Sequence, residues 1–127
     1  MIGLEKVSGW SFEETLERVP ELLKVEGFGV LTQIDVQATL KQKLGVDWRK
    51  YRILGACNTA LAYRALSQVP EVGVLLPCNV AIYEREDGKV IVRAVDPMQT
   101  IAAAQPALGE IAREVRERLG RVLDRVA

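Results

Sequence analysis

The chain has 127 residues, 49% of them hydrophobic and 27% charged, enough for one buried core and a single domain over 1–127. Its 17 basic and 17 acidic side chains cancel, so no whole-molecule field draws it toward nucleic acid or anionic lipid. The absence of histidine excludes an imidazole base, a Cys-His pair and a histidine metal ligand.

Residues 1–8 read as a short strand with Ile2 and Leu4 on one face. Ser11-Phe12-Glu13-Glu14 then forms a capping box that opens a helix. Phe12, Leu16, Val19 and Leu23 follow at helical spacing, widened by Thr15 and Leu22. Pro20 lies inside this helix and removes a hydrogen bond to the Leu16 carbonyl, which predicts a kink. Gly27 supplies the left-handed end.

Phe28 to Val36 is the next strand, and a short helix from Val36 to Leu44 stops at Gly45. Trp48 to Cys57 reads as a third strand, after which Asn58 or Thr59 caps a helix to about Gln68. Pro70 prevents its extension. Gly73 to Arg85 and Lys89 to Val95 form a hairpin around Glu86-Asp87-Gly88. In its first strand Val74, Leu76, Cys78, Val80 and Ile82 share one face. Leu75, Asn79, Ala81 and Tyr83 on the other are too apolar for plain exposure, which predicts a second covering surface such as another subunit.

Asp96-Pro97 is a helix cap followed by proline at the first helical position, opening a short helix to about Ala104. The last helix starts at Pro106. Leu108, Ile111, Ala112, Val115, Leu119, Val122 and Val126 make its apolar stripe, with Glu114–Arg118 and Glu117–Arg121 pairs outside. The longest apolar run, Val72 to Ile82, is short of the roughly 20 residues a bilayer requires. The amino terminus lacks the apolar core of a secretory signal, which predicts a cytoplasmic protein with reduced thiols. A hairpin combined with helices predicts an α+β fold: an antiparallel sheet of about five strands with helices packed mainly on one face.

Gly27 to Val36, Ile53-Leu54-Gly55-Ala56-Cys57-Asn58 and Leu76-Pro77-Cys78-Asn79-Val80-Ala81-Ile82-Tyr83-Glu84 together resemble a prokaryotic family labelled "domain of unknown function 302". The Asp96-Pro97 element is similar too. The resemblance covers nearly the whole chain. It implies a strand–helix–four-strand–helix core grouped with TATA-binding-protein-like folds, and a homodimer. It implies no established activity, substrate, cofactor or catalytic residue.

Two Cys-Asn dipeptides carry the chemistry. Cys57 stands at a strand end before a helix start, where amide dipoles favour a thiolate; a small buried apolar residue is the structural alternative. Cys78 shares its face with Leu76, Val80 and Ile82, and Pro77 marks a strand edge or bulge beside it. If the two segments meet, Cys57, Asn58, Cys78 and Asn79 line one pocket. Cys57 and Cys78 are then also candidate soft-metal ligands, completed to four across a symmetric dimer. This favours a non-enzymatic, homodimeric module that binds a small ligand or metal. A thiol redox sensor or enzyme, with Cys57 attacking and Cys78 resolving, is the alternative; a purely structural or interaction domain is the third. Asp35, Asp47, Glu84 and Asp96 at strand ends read as structural carboxylates. Trp48-Arg49-Lys50-Tyr51-Arg52 interleaves aromatic and basic groups, but without a wider basic stripe nucleic acid is disfavoured.

Overall fold

The computed structural model describes residues 1–127. Five strands, β1 (Leu4–Ser8), β2 (Gly29–Asp35), β3 (Tyr51–Cys57), β4 (Cys78–Glu84) and β5 (Val90–Ala94), form one sheet in the order β1-β5-β4-β3-β2, every pair antiparallel. Helix α1 (Phe12–Val25) carries the chain from one edge of the sheet to the other. Helices α2 (Val36–Leu44) and α3 (Thr59–Gln68) are inserted between strands, and α4 (Ile101–Ala104) and α5 (Gly109–Asp124) end the chain. This is the predicted α+β order of strand, helix, four strands and helix.

Alternation along the central strands sets the layers. Leu54, Ala56, Cys78, Val80, Ile82, Val92 and Ala94 are all buried in one cluster with residues of α1, α3, α4 and α5. Successive strand side chains point to opposite faces, so these residues define the packed side of the sheet. The α5 stripe read from the sequence is buried throughout, from Leu108 to Val126. On α1 the Ser11 hydroxyl accepts a hydrogen bond from the Glu14 amide at 3.0 Å. The helix is continuous across Pro20.

Four expectations are corrected. The strand predicted from Gly73 begins only at Cys78; Pro70–Leu75 is a 3-10 turn, and Val74 is exposed there instead of sharing a face with Cys78. A cis peptide joins Leu76 to Pro77 just before β4. The strand predicted from Trp48 begins at Tyr51, and the helix expected at Asp96 begins at Ile101 after a turn in which Asp96 accepts the Met98 amide. Arg121 pairs with Glu26 at 3.0 Å, not with Glu117, because the Glu26 carboxylate is buried and needs a counter-charge.

The open face of the sheet is apolar, as expected, and largely covers itself. Tyr51 and Tyr83, register partners, stack with centroids 4.8 Å apart. Ile91, in register with Tyr83, is fully buried, and Arg93 bridges to Glu5 and donates to the Tyr83 hydroxyl.

Candidate functional site

The ends of β3 and β4 meet α3 and α5 around a small cavity. Register pairs Ala56 with Cys78, so the two cysteine segments are neighbours in the sheet although 21 residues separate the cysteines along the chain. The cavity measures about 20 Å³, and twelve residues line it, Cys57, Asn58 and Cys78 among them. Leu61 and Ala65 of α3 and Ile111 and Val115 of α5 close its other side. The volume would admit one water, but a buried water needs two or more polar partners. Eleven of the twelve lining residues are apolar, so the space favours a nonpolar occupant over water.

Asn58 is the polar exception, and its side chain is already engaged. Its Oδ1 accepts the Leu61 amide at 3.2 Å and caps α3, while its Nδ2 donates to the Glu26 carbonyl at 3.4 Å. Asn79 does not line the cavity. It pairs with Gly55 on the opposite side of the sheet and is exposed. The second Cys-Asn dipeptide therefore splits its two side chains between faces, as strand alternation requires.

Cys78 is buried, and desolvation first, with a smaller contribution from Cys57, pushes its thiol from the ordinary 9.0 up to about 11. A thiol in that state is neutral near pH 7 and a poor nucleophile. Cys57 is half-buried at the last residue of β3. Alternation puts Cys78 and Ala56 together on the packed face, and Cys57, where β3 gives way to α3, lines the same cavity from the strand end. Both thiols are free. No cluster of three or more Cys, Asp or Glu stands ready to hold a metal ion.

Gly55 is required where the sheet is tightest. A Cβ there would sit 2.2 Å from Thr32 Oγ1 and 2.9 Å from the Pro77 ring. The bulge associated with this crowding is on β2, between Val30 and Thr32, and not at Pro77. Three of the four strand-end carboxylates are spoken for, Glu84 being the exception: Asp35 caps α2 and pairs with Arg52, Asp47 pairs with Lys41, and Asp96 pairs with Arg116. The feature missed from the sequence is Glu26, buried where α1 ends and held by Arg121 and Arg125 of α5. A Glu one residue before a helix-ending Gly gives no local sign of burial.

Fold and site together define a small antiparallel α+β domain whose helices enclose an apolar cavity beside two cysteines. No helix is long and apolar enough to cross a membrane. The chain belongs to the family described as "Domain of unknown function DUF302", which matches residues 4–126. It is similar to the crystal structure of an uncharacterized conserved DUF302 protein from Bacillus stearothermophilus. That likeness has a TM-score of 0.90 and 36% identity, covering 100% of this chain and 99% of the other. It is also 28% identical over 115 residues to an uncharacterized protein of Aquifex aeolicus (strain VF5), spanning 91% of this chain and 74% of that relative.

Proposed function

We propose that this protein is a non-catalytic, homodimeric binding module that takes a small uncharged apolar ligand into the cavity beside Cys57, Asn58 and Cys78. The observation that carries this reading is the lining: eleven apolar residues, with the one polar side chain committed to capping a helix. An apolar lining of this kind holds water weakly, so an apolar guest gains dispersion contacts at little cost in displaced water. At about 20 Å³ the resting hollow is small, so it suits a guest of a few heavy atoms unless its lining side chains move apart. A protonated Cys78 supports binding over chemistry, because a resolving or attacking thiol must ionise. It also disfavours a soft metal, which would have to displace the proton from a desolvated sulfur.

Titration with xenon and with short alkanols, read from the methyl resonances of Ile101, Ile111 and Val115, tests this. Shifts confined to those methyls are expected, and Ala62→Leu, which adds bulk on the half-buried side of the lining, should abolish them while the fold is retained. Absence of shifts with every probe, or shifts unchanged in Ala62→Leu, would remove the reading and favour a purely structural domain. Stoichiometric Ag(I) uptake lost in both Cys57→Ser and Cys78→Ser would instead favour the soft-metal form of the site.

A further inference from the structure

From Gly29 to Ile53 not one residue is buried, although the stretch contains all of β2, all of α2 and the start of β3. Leu31 is 67% exposed, Ile34 50% and Leu44 70%, with Val46 and Trp48 also open to solvent. A helix of nine residues is well below the roughly 12–15 at which an isolated helix becomes marginally stable. Packing normally supplies the difference, and here the chain's own core supplies none. We infer that this β2–α2 arm is covered by a second copy of the chain, joined edge to edge through β2; the inference rests on the dimeric part of the proposed function.

Three observations select a second copy as the occupant. First, β2 is the longer of the two sheet edges, seven residues bonded only to β3, with no proline and no charge before Asp35. Edges of this kind are ordinarily broken up by charge or proline unless they are paired. The opposite edge, β1, has five residues and carries Glu5 and Lys6. Second, the exposed apolar side chains Val30, Leu31, Ile34, Leu44, Val46 and Trp48 all fall within this one stretch, so a single partner surface would cover them together. Third, the arm's charge is complementary to the rest of the molecule. Lys41, Lys43, Arg49, Lys50 and Arg52 against Asp35 and Asp47 leave the arm at +3, so the balanced chain carries −3 elsewhere. Part of that −3 is on α1, where Glu17 and Glu21 are exposed at helical spacing along one side, next to Glu13, which Lys50 of the same chain already pairs. β2 starts where α1 ends and finishes where α2 begins. Antiparallel pairing of two β2 strands about a two-fold axis therefore carries each basic α2 toward the acidic α1 of the other copy. The open sheet face is the weaker rival, because its tyrosine stack and Arg93–Glu5 bridge already cover it.

Sedimentation equilibrium of the full chain, with circular dichroism to verify folding, provides the test. Wild type should be a dimer, and Leu31→Glu a folded monomer at the same concentration. Lys41→Glu with Lys43→Glu should weaken the dimer roughly tenfold at low salt, and adding Glu17→Lys with Glu21→Lys should restore it. Val74→Glu, at an exposed apolar position elsewhere, should leave the dimer intact. A dimer that survives Leu31→Glu, or that Val74→Glu abolishes, would overturn the arm assignment alone. A monomeric wild type would overturn both this and the dimeric reading, whether or not it sediments with anionic phospholipid vesicles.

Discussion

The Cys78 thiol loses water on folding, and nothing beside it replaces the hydration its charged form would need. Burial therefore holds the proton, and the thiol ionises near about 11 instead of 9.0. The sign of the stability effect follows. The unfolded chain releases this proton first as pH rises, so the stabilisation is complete below pH 9 and is lost as pH climbs through 11. The difference is roughly 2–3 kcal/mol. Urea midpoints measured at about pH 8 and about pH 11 should converge for wild type and Cys78→Ala at the alkaline end, after both are corrected for the groups they share. A constant gap between the two proteins at all pH values would show that the thiol does not titrate this way. Asn58 illustrates a different residue-scale lesson. Its side chain looked available for a ligand, but a helix start demands an acceptor, and that local need takes it first.

Between elements, the clamp of Glu26 by α5 has the largest electrostatic consequence. The Glu26 carboxylate is 8% exposed, whereas Arg121 and Arg125 are 49% and 47% exposed and keep much of their water. Removing the carboxylate leaves arginines that solvent can accommodate. Removing both arginines leaves a desolvated charge with no counter-ion. The Arg121→Ala plus Arg125→Ala variant should therefore lose about 3–5 kcal/mol, well beyond the effect of Glu26→Gln. Chemical denaturation of the two variants checks the order, and equal losses would mean that the pair contributes only packing. Arg118 adds to the same joint by donating to the Glu26 carbonyl at 3.0 Å, so the end of α1 is held through both backbone and side chain.

At the scale of the molecule, the chain divides into a packed body and an arm. Strands β3, β4 and β5 with α1, α3 and α5 share one hydrophobic cluster, while α2 contributes nothing to it. Local opening costs least where few apolar contacts must be broken. Amides of α2 should exchange with solvent orders of magnitude faster than those of α5 when the chain is dilute. If a second copy covers the arm, α2 protection should rise with protein concentration while α5 stays unchanged. Hydrogen exchange at two concentrations reads both quantities, and α2 protection independent of concentration would contradict the arm's role in assembly.

The sequence by itself determined the elements, because their signals are local. The Ser11 and Asn58 caps, the Asp87-Gly88 turn and the α5 stripe are each read within a few residues, and the structure places them as expected. The α+β order was legible for the same reason, whereas the meeting of the Cys57 and Cys78 segments stood only as a condition until the sheet register showed it. Only the tertiary structure decided which side chains reach the cavity: the register brings Ala56 beside Cys78, and Asn79 stays on the other face and lines nothing there. The burial of Glu26, the pairing of Arg121 and the nakedness of residues 29–53 belong to the same class. Each depends on what lies opposite in space across a long sequence separation, and periodicity along the chain carries no information about that distance.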